Sequence, residues 1–68
     1  MRWILRLHPT GANLTEEKRA RTKQAAMESA QVWCSRERGR RAEIVRAADV
    51  ATVMVYWRDD DGLQYLEY

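Results

Sequence analysis

The chain has no phenylalanine, one cysteine, one proline, one histidine and three scattered glycines in 68 residues. Each shortage removes a class of protein. With Cys34 alone, no internal disulfide can form, and one cysteine with one histidine cannot supply a standard four-ligand zinc site. The three glycines fall in no phosphate-cradling loop, and no nucleophile or metal motif accompanies them. A chain this small also offers little room for a deep pocket. An enzyme is therefore not expected, and no cofactor is called for. No apolar stretch approaches a membrane span. The opening "MRWILRLHP" is broken by Arg6 and His8 and lacks the apolar core, about 7–15 residues long, of a secretory signal. The expected compartment is the cytoplasm, with which an unpaired cysteine agrees.

One domain is expected, residues 1–68, with no repeats and no low-complexity linker. A domain of this size buries only about 60% of the surface its unfolded chain exposes. Without disulfide or metal, self-association as a homodimer or docking on a larger partner is the expected compensation.

The net charge of +2 is unevenly spread. Residues 1–48 carry eleven Lys/Arg against five Asp/Glu, whereas residues 49–68 carry one Arg against five acids.

In "RWILRLH" (2–8) the residues alternate, Trp3, Leu5 and Leu7 on one face and Arg2, Ile4, Arg6 and His8 on the other, which predicts a strand. Pro9 ends it, and "PTGAN" supplies turn chemistry. From there to Gly39 the sequence reads as one long helix. Thr15 is the expected N-cap, with an Asn13–Glu16 capping box as the alternative. Arg36 and Arg38 suit the negative end of the helix dipole, and Gly39 the stop. Ala26, Met27, Ala30, Trp33 and Cys34 form a thin apolar stripe whose small residues permit close approach to a sheet. Carried back toward the N-terminus, the stripe meets charge. The first two turns are therefore expected to project past the sheet, presenting Lys18, Arg19, Arg21 and Lys23 as a basic knob.

Beyond Gly39, "RRAEIVRAADVA" predicts a strand near 42–47 and a turn at Ala48–Asp49, a short helix being the alternative. A strand at 51–58 follows, then a loop "RDDDG" and a last strand "LQYLEY", forming a hairpin. If the helix covers Trp3, Leu5 and Leu7 together with Val53, Val55 and Trp57, the open face carries Arg2, Ile4, Arg6, His8, Met54 and Tyr56. The expected fold is an α+β, two-layer β-α-β-β-β domain, a small antiparallel or mixed sheet with one long helix on one face.

Asp59, Asp60 and Asp61 precede Gly62, and Asp-Gly is a strong hairpin-turn signal. A calcium loop would space its ligands at alternate positions and close with a distant glutamate, which "DDDGLQYLEY" does not do. A turn, with an acidic contact to a basic partner as the alternative, is the reading. His8 reads as a strand-end surface residue rather than a general base, and Cys34 as a buried structural thiol rather than a nucleophile. Two basic groups, Lys18/Arg19/Arg21/Lys23 and Arg36/Arg38/Arg40/Arg41, flank the expected helix and could contact phosphates. With Arg2, Arg6 and Tyr56 on an open sheet face, they resemble the means by which some sheets stack RNA bases, although the RNA-recognition signature is absent. Trp57, Tyr56, Tyr65 and Tyr68 gather aromatics in the final hairpin; Trp57 is expected in the core, and tyrosine is a common interface anchor. The last strand is expected at a sheet edge with only Glu67 to protect it, which permits pairing with another chain.

In size, in β-α-β-β-β order, in the basic segment "EEKRARTK" and in lacking catalytic motifs, the whole chain resembles small phage-encoded inhibitors of host machinery, of the anti-CRISPR type. The resemblance implies a partner that is a host polymerase or nucleoprotein complex; it transfers no residue roles. The positive net charge favours basic groups clamping the partner over acids mimicking phosphate. The leading expectation is a non-enzymatic binding protein that occludes a surface of a larger protein or nucleoprotein complex. The alternative is a nucleic-acid-binding module, which requires the basic helix ends and the basic sheet face to merge into one patch.

Overall fold

The computed structural model of the chain describes residues 2–11 and 14–68. It is an α+β domain with one helix, α1 (Lys23–Arg36), packed on a five-stranded sheet. The strands are β1 (Trp3–His8), β2 (Glu16–Ala20), β3 (Arg41–Arg46), β4 (Ala51–Asp59) and β5 (Gly62–Glu67). They are ordered β2-β1-β3-β4-β5, and every pair is antiparallel. The described helix is too short and too polar to cross a membrane.

Four strands and the closing hairpin lie where the sequence places them. The segment expected as a strand near 42–47 is extended, not helical, over Arg41–Arg46, with Ala47–Val50 as the turn into β4. The helix corrects the expectation at its start. It begins only after Thr22, whose hydroxyl accepts from the Ala25 amide at 3.0 Å. Thr15 is not its cap, Glu16 lies in β2, and Asn13 falls outside the described residues. "EEKRA" is an edge strand paired to β1, with Leu7 opposite Glu16 and Trp3 opposite Ala20. Glu, Lys and Arg favour helix locally. Pairing satisfies the outward backbone groups of β1, and that non-local gain overrides propensity. The element order is therefore β-β-α-β-β-β.

At its far end the helix stops where expected. Arg36 lies in the last turn, and Gly39 takes φ +83°, the left-handed region glycine favours. A Cβ there would meet Thr10 Oγ1 at 3.0 Å, the same hydroxyl that donates to the Arg38 carbonyl at 2.8 Å.

Leu5, Leu7, Ala42, Ile44, Met54 and Tyr56 of the sheet and Ala26, Ala30 and Cys34 of the helix form the core, with Trp3, Met27, Trp33 and Val53 partly buried against it. Small side chains on α1 let it lie close to the sheet, so the thin stripe suffices.

The face of β4 corrects a second expectation. Ile44 pairs with Met54 and Val45 with Thr52, leaving Val53 as an unpaired extra residue. This β-bulge resets the two-residue period. Met54 and Tyr56 face the helix, and Val55 and Trp57 lie on the opposite side. Trp57 is thus outside the core, and Tyr56, only 2% exposed, is inside it.

Candidate functional site

The basic and acidic residues singled out by sequence do not converge on one surface. Lys18, Arg19, Arg21 and Lys23 form no helical knob. Lys18 sits opposite Leu5 on the helix side of the sheet, and Arg19 opposite Ile4 on the open side. Lys18 and Arg36 line one shallow cleft beside α1 with Ser29, Val32 and Trp33. Arg2, Arg19 and Arg21 line another, at the start of β1 and end of β2.

Several of the remaining arginines are engaged internally. Arg40 donates to the Trp33 carbonyl at 3.0 Å, pairs with Glu37 at 3.1 Å and lies 4.6 Å from the centre of the Trp33 ring. Arg58 donates to the Ser35 carbonyl at 2.9 Å. Both close carbonyls of the last helical turn that have no partner within the helix. Arg38, between α1 and β3, pairs with Asp60 in the turn between β4 and β5. Asp59 Oδ1 accepts from the Asp61 amide at 2.9 Å, the local bond of an Asx turn. The acidic run is a turn, with Gly62 at φ +109°. Among the described residues, no group of three His, Cys, Asp or Glu could hold a metal ion.

The open sheet face is not uniformly basic: Arg6 lies between Glu17 and Glu43, while Arg19 and Arg41 share the same face. Cross-strand rows run Glu17–Arg6–Glu43–Val55–Leu66 and His8–Arg41–Trp57–Gln64. Arg6 Nε lies 2.9 Å from Glu17, and His8 Nε2 lies 2.7 Å from Glu43 Oε2. Tyr56 is absent from this face, so its expected base-stacking role fails. Its hydroxyl instead accepts from Gln31 Nε2 at 3.2 Å beneath the helix.

Sequence reasoning missed one constellation. Thr15 Oγ1 lies 3.3 Å from His8 Nδ1, completing a hydroxyl–imidazole–carboxylate chain with Glu43. The three residues are 35 positions apart at most; the β1–β3 register brings Glu43 to His8, and the β1–β2 pairing brings Thr15. Such a chain can move a proton in principle. None of the clefts described here is lined by these residues. The geometry accounts for it as a clasp between β1, β3 and the segment before β2.

The most developed surface lies at the opposite edge. β5 is the last strand of the sheet and, among the described residues, is unpaired on its outer side. The Tyr68 amide donates to the Val53 carbonyl at 3.0 Å, so residues 68, 66, 64 and 62 turn their backbone groups toward β4. By alternation, the N–H and C=O groups of Leu63, Tyr65 and Glu67 point outward. Their side chains line a groove of about 460 Å³ against Met27, Gln31, Met54 and Tyr56. Tyr65 is 62% exposed although its ring stands 5.9 Å from that of Tyr56, and Tyr68 is 73% exposed. Leu63 and Leu66 are also exposed. No proline or lysine interrupts "GLQYLEY", whereas the other edge, "EEKRA", is charged throughout apart from Ala20. Charge blunts an edge strand, and β5 has only Glu67.

No family model, curated protein or solved structure matches this chain.

Proposed function

We propose that the chain is a small non-enzymatic binding protein, of inhibitor type, that occludes a surface of a larger protein or nucleoprotein complex by accepting an extended segment of that partner along β5. The observation that carries this is the β5 edge: three residues with outward backbone groups, beside a groove lined by Leu63, Tyr65 and Glu67. Strand addition draws affinity from main-chain hydrogen bonds and specificity from pockets that take alternate side chains. The groove's apolar floor and the Glu67 carboxylate fit a segment that alternates apolar and basic residues. The nucleic-acid reading has less support, because the cations it needs are divided between separate clefts and internal pairs.

Selection of a random-peptide display library on the whole chain tests this, followed by amide hydrogen exchange with the selected peptide. Enriched peptides should alternate apolar and basic residues and protect the amides of Leu63, Tyr65 and Glu67. Tyr65→Pro removes an outward N–H that β4 does not use. It should abolish binding while leaving the fold's melting temperature within a few degrees. Peptides that map elsewhere, or bind Tyr65→Pro equally well, would sink the proposal.

A further inference from the structure

Where β1 begins and β2 ends, Arg2, Arg19 and Arg21 come together, and Lys23 follows at the start of α1. Among the described residues none of these four is in an ion pair. Acids that could have neutralised them are committed elsewhere: Glu17 to Arg6, and Asp49 to Arg46 at 2.7 Å. The first turn of α1 carries no acidic residue. Arg2 and Arg19 line two clefts that therefore adjoin. One, of about 250 Å³, is completed by Ala20 and Arg21. The other, of about 230 Å³, is completed by Trp3, Ile4 and Ala47.

Like charges gathered without a counter-charge repel, and an anion between them relieves that repulsion. A carboxylate offers two oxygens and one charge. A phosphate ester offers up to two charges and oxygens enough for several guanidinium forks. The second cleft adds an apolar wall beside the charged one.

We propose that this corner is a binding site for a phosphate ester, with the phosphate held among Arg2, Arg19 and Arg21 and the organic substituent lodged against Ile4, Trp3 and Ala47. Each cleft is smaller than a drug-sized pocket of about 300 Å³ or more, which suits a phosphate in one and a small substituent in the other. The same chemistry is presented by a free phosphorylated compound and by the phosphate of a nucleic-acid strand. The site lies at the sheet edge away from β5, so it stands or falls independently of the strand-addition reading.

The test is a titration of the whole, isotopically labelled protein with phenyl phosphate, inorganic phosphate and, at equal ionic strength, sodium chloride, followed by amide and arginine side-chain NMR. Saturable shifts at Arg2, Arg19 and Arg21 are expected, with phenyl phosphate binding about tenfold tighter than inorganic phosphate through its apolar contact. Arg19→Ala should weaken phenyl phosphate about tenfold, and Arg19→Lys should recover only part of the loss. A 5′-phosphorylated single-stranded oligonucleotide is then added. If it displaces phenyl phosphate from these residues, the site serves a nucleic-acid strand; if it does not, the site serves a small phosphorylated compound. Shifts no larger than those from chloride, or saturable binding mapped to other residues, overturn the proposal. The titration of the unaltered protein decides this even where a variant fails to fold.

Discussion

The guanidinium of Arg40 lies over the Trp33 indole, 4.6 Å from its centre, and donates to the Trp33 backbone carbonyl at 3.0 Å. One side chain thereby covers the helix's large aromatic anchor and closes an open carbonyl of its last turn. Arg40→Ala should destabilise the fold by about 1–3 kcal/mol, through the lost cation–π contact and the unsatisfied carbonyl. Arg40→Lys keeps the charge but not the planar fork and should recover less than half. Thermal melts of the two variants check this. Equal stability of Arg40→Ala and the parent would show the contact to be idle.

Cys34 is fully buried against the sheet. Burial pushes its thiol up to about 11, with an opposing pull from the Ala42 backbone and a smaller one from Arg40. Below pH 9 both folded and unfolded chains hold the proton. From 9 to about 11 the unfolded chain releases it while the folded chain keeps it, so stability falls as pH rises across that window. The loss should total roughly 2–3 kcal/mol. It should be missing from the pH profile of Cys34→Ala, the difference between the two profiles cancelling the other groups that titrate there. At pH 8 thiol reagents should modify Cys34 only as fast as the chain opens.

Much of the fold is legible in the sequence where alternation and turn chemistry agree. "RWILRLH", "RAEIVR" and the "DDDG" hairpin each carry a local pattern that the sheet preserves. β2 is not legible, because an edge strand with only Ala20 half-buried has no apolar period to show. What makes "EEKRA" a strand is β1, a partner distant in sequence. The facing of β4 is hidden for another reason. Val53, Val55 and Trp57 are as apolar as Met54 and Tyr56, and an unpaired Val53 shifts the period midway. For the site, sequence reports how many arginines there are. It does not report that Arg6, Arg38 and Arg40 find acids within the domain while Arg2, Arg19 and Arg21 do not.

Asp49 accepts both Arg46 Nε at 2.9 Å and Arg46 Nη2 at 2.7 Å in the turn between β3 and β4. Arg46 beside it holds its carboxyl below the ordinary 3.8. A depressed acid stabilises the fold above its unfolded pKa, and that contribution is lost as pH falls through the folded value. Asp49→Asn should therefore lower stability at pH 7 and flatten the acid limb below pH 4, the gap to the parent closing as pH falls through the depressed folded value. Acid titration of both proteins by circular dichroism measures it. Parallel acid limbs would rule the pair out as a contributor.

Val50 closes the same turn at φ +54° with its side chain 60% exposed. A β-branched residue is a poor occupant of left-handed backbone, and exposure denies it any packing return that would offset the strain. The turn is held instead by its neighbours, the Arg46–Asp49 pair and the Ala51 amide donating to Asp49 at 3.4 Å. Val50→Gly removes the Cβ conflict but raises the entropy of the unfolded chain, and Val50→Asn relieves the strain with less of that cost. Both should raise stability, Val50→Gly by about 0.5–1 kcal/mol and Val50→Asn by at least as much. Denaturant midpoints with an unchanged m-value would locate the gain in the folded turn. A loss of stability in both variants would mean that the valine side chain is supported by contacts outweighing its strained backbone.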